Sequence, residues 1–196
     1  MLEQPGADLV ALLGPFNGKV VNTAAISREL GVSRRTGRSR LRALERDGRL
    51  RLLPFYGGGG RSLLYLPQSF TGACVDAVIT RMLEILPESR FFWWKTGRTR
   101  RIDLLAVTGR EQIGFRFCSE PMVRNGDWWP LRIAYRRGLI QRGFLLYTGT
   151  QSFVVAAVVQ GLPLGAFFKE LESWILIRRS KEEAREAQTR LNAALR

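Results

Sequence analysis

The 196-residue chain contains no histidine. That one absence removes Ser-His-Asp triads, histidine general bases, HExxH zinc sites and Cys/His zinc fingers together. Cysteine is scarce as well: the two present, Cys74 and Cys118, have apolar neighbours and no metal-ligand spacing, and read as reduced core residues of a cytosolic protein. No basic segment precedes an apolar run at the N-terminus, so no signal peptide is predicted. No apolar run approaches the ~18 residues that a spanning helix needs, so no membrane partner is expected. Acids are also in short supply. Seventeen Asp and Glu face 31 Lys and Arg, a formal net charge of +14. The excess is shared, with 11 basic and 5 acidic residues in 1–66 and 14 and 8 in 67–171. Such a balance predicts a polyanionic partner.

What is present in abundance is arginine. The stretch Ser33–Arg51 holds eight. Thr23 to Leu30 has the spacing of a short helix, Gly31-Val32-Ser33 reads as a tight turn ending in an N-cap, and a second helix follows. Two helices joined by a three-residue turn containing Gly form a DNA-binding hairpin. Helical spacing puts Leu41 and Leu44 on the inner face with Ile26 and Leu30, and leaves Arg34, Arg35, Arg38 and Arg42 pointing outward. A merely solvated face usually mixes charge signs. Here the only acids are Glu45 and Asp47, near the helix end. Gly37, inside the helix, costs about 1 kcal/mol relative to Ala and marks close approach of the backbone either to a neighbouring helix or to DNA. Arg49–Leu53 and Ser62–Leu66 alternate like strands around the Gly57–Gly60 loop, which completes a winged helix. The four glycines lack a following Gly-Lys-Ser/Thr and helix, so they are no nucleotide cradle. The predicted DNA-binding set is therefore Arg34, Arg35, Thr36, Arg38, Ser39 and Arg42, with Arg61 at the edge of the wing.

Pro67–Gly72 reads as a linker. Beyond it the patterning predicts a helix over 73–86, strands over 90–94, 102–108 and 112–118 with a hairpin turn at 96–100, a helix within 126–138, and strands over 143–148 and 153–159. Gly161–Gly165 then leads into a last helix from Ala166. Helices and strands in this order make an α+β or α/β fold. Trp93-Trp94 and Trp128-Trp129 are expected to alternate in and out, serving a core or protein interface, with base stacking as the other reading. In the tail, Ser180-Lys-Glu-Glu reads as the cap of a helix whose Ala184, Ala187, Leu191 and Ala194/Leu195 form a narrow stripe suited to docking.

From Asn17 to Leu171, about four-fifths of the chain, the sequence resembles the C-terminal half of prokaryotic AAA-type ATPases with the ATPase removed. In that family a winged helix precedes a PD-(D/E)XK nuclease-like domain of unknown function. The resemblance is carried by Asn22-Thr-Ala-Ala-Ile-Ser-Arg-Glu-Leu-Gly-Val-Ser33, Leu53-Pro54, Gly72-Ala-Cys-Val-Asp76, Phe92-Trp-Trp-Lys-Thr-Gly97, Arg101-Ile-Asp103, Ile113-Gly-Phe-Arg-Phe-Cys-Ser-Glu-Pro121 and Leu162-Pro163-Leu164. It implies a vestigial nuclease site. Asp103 matches the motif aspartate, and Asp76 stands where the leading helix usually has Glu. The acid two residues before the aspartate is replaced by Arg101, the strand acid by Gly114, and the lysine two residues on by Arg116. Metal-dependent cleavage needs oxygen ligands on adjacent strand faces, and arginines there repel a cation. Either the substituted arginines, Arg98, Arg100, Arg101 and Arg116, form a basic groove for phosphates, or Asp103 simply pairs with Arg101 or Arg116 in a retired site.

The sequence thus predicts a winged helix over 1–67, a degenerate nuclease-like domain over 70–171 and a helical tail over 172–196. The expected function is non-enzymatic binding of double-stranded DNA in transcriptional regulation, as a homodimer at the cytoplasmic nucleoid, with no cofactor and no metal. The alternatives are an interaction module docking on a protein or nucleoprotein assembly, and a divergent metal-dependent nuclease.

Overall fold

The computed structural model describes residues 5–96, 100–109, 111–156 and 158–194. The fold is mixed α+β, with six α-helices, a three-stranded sheet and a mixed six-stranded sheet among the described residues. Helix α1 (Pro5–Leu13) leads through a 3-10 turn at Gly14–Phe16 to strand β1 (Val20–Val21). Helices α2 (Thr23–Glu29) and α3 (Arg34–Arg46) follow. Each begins where a side-chain oxygen takes an N–H that has no partner inside the helix. Asn22 Oδ1 accepts from Ala25 N at 2.7 Å and Ser33 Oγ accepts from Thr36 N at 3.1 Å. Strands β2 (Arg51–Pro54) and β3 (Ser62–Tyr65) form an antiparallel hairpin, and β1 pairs with the far side of β3. Ile26, Leu41 and Leu44 pack with Leu50, Leu64 and Leu66, so the inner-face leucines expected from spacing do build this core.

The linker expected at Pro67–Gly72 is a tight corner instead. Helix α4 (Phe70–Ile85) starts three residues early because Ser69 caps it, its Oγ accepting from Gly72 N at 3.1 Å. The Asn17 side chain pins the corner by accepting the Leu66 N–H at 2.9 Å. A Cβ at Gly72 would lie 2.0 Å from the Leu66 carbonyl oxygen, so only glycine allows the chain to turn this closely.

Strands β4 (Arg90–Thr96), β5 (Arg100–Thr108) and β6 (Glu111–Cys118) form an antiparallel meander. Helix α5 (Asn125–Arg136) crosses over to β7 (Arg142–Tyr147), which runs parallel to β6. The single strand expected over 153–159 is a hairpin: β8 (Phe153–Ala156) turns back into β9 (Val159–Pro163), which lies parallel to β7. The run Val154-Val-Ala-Ala-Val-Val159 holds no Gly, Pro or Asn to announce the reversal. Helix α6 (Leu164–Ala194) runs without interruption past Ser180, so the cap expected there is inside a helix. No Gly or Pro interrupts residues 166–194, and a helix already nucleated propagates through a residue that would cap only a free end.

The six strands are ordered β4-β5-β6-β7-β9-β8, with helices on both faces. Ile113, Phe115 and Phe117 of β6 point toward α4 and α6, where Phe167 and Leu171 join Cys74, Val78 and Met82. The other face takes Leu131 and Ala134 of α5 against Ile102, Leu105 and Leu145. Leu53, Leu63 and Tyr65 of the first sheet are buried in the same cluster as α4 and β6. The β2–β3 loop also lies on β4. Tyr56 N donates to the Trp93 carbonyl at 3.0 Å, and the rings of Phe55 and Trp93 are 4.9 Å apart.

Candidate nucleic-acid interface

The seat of α3 explains its exposed face. Gly31, at φ +61°, and Val32 turn the chain between the two helices, with Val32 N donating to Ser27 O at 2.9 Å. Gly37 is buried at the helix crossing, where a Cβ would fall 2.1 Å from Ser27 Oγ. The close approach that the sequence left open is therefore to α2. With Gly37, Leu41 and Leu44 turned inward, the remaining positions face out: Arg34, Arg35, Thr36, Arg38, Ser39 and Arg42 are all exposed. Among the described residues none of Arg34, Arg35, Arg38 or Arg42 takes part in a salt bridge. Glu45 leaves this face, its carboxylate accepting from Leu52 N at 3.0 Å. The Asp47 carboxylate pairs with Arg46 at 3.4 Å, an exposed pair of small energetic weight.

The arginines flank an open groove that also includes Arg46 and Ala43. Arg46 was not in the sequence-derived set, although its i+4 relation to Arg42 carried the signal. The Thr36 hydroxyl lies 2.9 Å from Ser33 Oγ and belongs to the cap as much as to the surface. Arg61 is exposed at the end of the β2–β3 loop, where Gly58, Gly59 and Gly60 all have positive φ. The arginine-rich segment also contributes inward: Arg51 is tied to Asp76 at 2.8 Å.

The second set of arginines has a different geometry. Opposite Trp93, β5 carries two residues, Asp103 and Leu104, for one on β4. This bulge breaks the alternation, and Asp103 sits 2 % exposed with both carboxylate oxygens occupied. Arg101 Nε donates to Oδ1 at 2.9 Å. Arg116 donates to both oxygens, at 3.1 and 3.0 Å. Phe117 N reaches Oδ2 at 3.2 Å, and the Tyr65 hydroxyl reaches Oδ1 at 3.3 Å. Arg101 also bonds the Gly18 carbonyl, and Arg116 the Asp127 carbonyl at 3.3 Å. Burial, then the Asp103 charge, pushes the Tyr65 hydroxyl well above its ordinary value of 10. Burial opposes the charge on Arg101, but Asp103 and Tyr65 more than offset it and raise its pKa.

Asp76 and Asp103 are thus held by different partners. Gly114 faces neither: a Cβ there would stand 3.0 Å from Leu131 and 3.1 Å from Ile102 and Ile140, so this position is filled by the seat of α5. Among the described residues no group of three or more His, Cys, Asp or Glu is placed to hold a metal ion. Arg98 lies outside the described residues, as does the side chain of Arg100. Tyr65 was not foreseen as a partner of Asp103, nor the Gly18 carbonyl as a partner of Arg101, because Tyr65 comes from the other sheet and Gly18 from the turn before β1.

Trp93 is fully buried beneath Phe55. Trp128 and Trp129 lie on α5, not on a strand or loop, so they diverge by a helical step in place of alternating; both are half-buried. No protein-family model matches the chain, and neither a curated protein nor a solved structure matches it.

Proposed function

We propose that the chain is a non-enzymatic protein that binds double-stranded DNA and acts as a transcriptional regulator. In this reading residues 1–67 are a winged helix-turn-helix, α3 is its recognition helix and the β2–β3 loop with Arg61 is its wing. The observation that carries the proposal is the α3 face itself, where Arg34, Arg35, Arg38 and Arg42 are exposed without a salt bridge among the described residues. Arginines left without acids on a helix seated by its opposite face are arranged to meet phosphates and base edges in a major groove. The wing, anchored through Phe55 and Tyr56, leaves only its glycine tip and Arg61 to reach DNA.

The sheet domain, with its order of helix, three antiparallel strands, crossover helix and parallel strand, is read as a degenerate PD-(D/E)XK-like scaffold. Two features support its being inactive: every oxygen of Asp103 is engaged by arginines, a hydroxyl and an amide, and the Gly114 position is packed against α5. A homodimer completes the proposal, since a paired module reads two half-sites. Ile177, 56 % exposed, and exposed Ala184 and Ala187 on α6 offer the seam. The side chains of Leu191, Ala194 and Leu195 lie outside the described residues.

Duplex affinity measured against salt tests the reading. Replacing Arg34, Arg35, Arg38 and Arg42 with Ala removes up to four phosphate contacts and lowers the slope of log affinity against log salt by about 3.6, at about 0.9 per contact. Wild-type binding by that variant excludes α3 as the contact. Mass by light scattering tests the dimer, and a 22 kDa species excludes it.

A further inference from the structure

The outer face of α5 carries aromatic and arginine side chains that neither α3 nor the Asp103 cluster uses. Leu131 and Ala134 are fully buried against the sheet; Trp128, Arg132, Tyr135 and Arg136, spaced three or four residues apart, form the neighbouring stripe of the helix, whose Trp128 end also packs against the cluster of Leu131 and Ala134. Tyr135 is 40 % exposed, and Arg136 is exposed. The Arg132 guanidinium lies over both indoles, 5.8 Å from Trp128 and 5.3 Å from Trp129. An arginine stacked on rings has already given up rotamer freedom, and the N–H donors along its edge remain directed away from the ring faces. Arg136 follows about 6 Å further along the helix axis. Residues 124–142 contain five arginines and one acid, Asp127, whose carboxylate accepts the Arg124 N–H at 2.7 Å. Nearby Glu120 pairs with the Arg124 side chain at 3.4 Å.

The geometry points to a second DNA contact: the outer face of α5 binds backbone phosphates of duplex flanking the stretch held by α3, with Arg132 preset by the two indoles and Arg136 taking the next phosphate. The inference rests on the DNA-binding reading above. Charge complementarity selects the occupant, because a stripe that carries Arg132 and Arg136, on a chain of net charge +14, matches a polyanion, whereas a protein partner has to bring an acidic surface. Arg116 links the Asp127 carbonyl in the first turn of α5 to Asp103, and Asp103 shares Arg101 with Gly18 at the entry to β1.

The test compares duplexes of about one and about three helical turns (~10 bp per turn) across a salt series. Wild type shows a steeper salt dependence on the long duplex. Arg132→Ala/Arg136→Ala loses that added steepness, its long-duplex slope falling by about 1.8 for two contacts, while short-duplex binding is unchanged. Trp128→Ala, which removes one indole from under Arg132, shifts the slope in the same direction by less. Arg90→Ala/Lys169→Ala, which deletes the same charge at exposed positions on β4 and α6, leaves the slope near wild type. The proposal is overturned if the α5 variant matches wild type on the long duplex, or if the control pair lowers the slope equally. It is also overturned if the α5 variant keeps its DNA binding but loses self-association in light scattering, which makes the face a protein contact. Failure of α3 is read separately, on the short duplex, with α5 intact.

Discussion

The arginines of α3 and those beside Asp103 are the same residue in opposite circumstances. On α3 the helix is seated by Gly37, Leu41 and Leu44, the nearest acid is turned toward β2, and Arg34, Arg35, Arg38 and Arg42 project into solvent. In the sheet, a bulge buries one carboxylate between two strands, and Arg101 and Arg116 close on it with side chains 31 % and 20 % exposed. The difference teaches that arginine count does not locate a binding surface. What decides is whether an acid lies within reach on the same side of the fold. A carboxylate removed from water needs its charge and lone pairs satisfied, and here it draws in two guanidinium groups, a hydroxyl and an amide.

The largest effect expected from breaking the comparison is on stability. Asp103→Ala leaves two part-buried guanidinium groups facing each other, a loss of about 3–5 kcal/mol in chemical denaturation. Removing the four α3 arginines leaves stability within about 0.5 kcal/mol per site, as for other surface positions. Equal loss in the two variants would erase the distinction between them.

A smaller effect sharpens the α3 side. Gly37→Ala forces a methyl group against Ser27 and costs about 1–3 kcal/mol as an overpacked contact, with duplex affinity falling because the arginine face is displaced. Unchanged thermal stability in that variant would show that the α2–α3 crossing is looser than the 2.1 Å approach indicates.

The smallest effect is absent at neutral pH. Burial pushes the Cys74 thiol from 9.0 up to about 11, and Tyr65 is raised above 10.0 by burial and by Asp103. Both groups hold their protons more tightly folded than unfolded. Their contribution is therefore full below pH 9 and is lost as pH rises through the folded values. Denaturation midpoints should fall from about pH 9 upward, with Cys74→Ala and Tyr65→Phe each flattening part of the decline. A midpoint constant to pH 11 in wild type contradicts these shifts.

Much of the α3 half was legible in the sequence because its determinants are local. Ser33 caps within three residues, and the spacing of Ile26, Leu41 and Leu44 sets which side faces out. The Asp103 half was legible only as a pair of alternatives. Its environment depends on a register shift against Trp93, on Tyr65 arriving from another sheet and on Gly18 arriving from the turn before β1, and no spacing encodes those. The β8–β9 reversal was hidden in an unbroken apolar run, and Ser180 offered a cap that an already continuous helix does not use. Trp128 and Trp129 had the right spacing to Arg132, but the helix that makes the spacing meaningful had first to be placed.

The most direct measurement of the central claim treats the whole protein with an arginine-specific dicarbonyl reagent, with and without duplex DNA, and maps the modified sites by mass spectrometry. The account predicts that Arg34, Arg35, Arg38 and Arg42 react readily in the free protein and are protected by duplex, while Arg101 and Arg116 resist the reagent in both states. Unprotected α3 arginines in the bound state, or reactive Arg101 and Arg116 that duplex then shields, would contradict it.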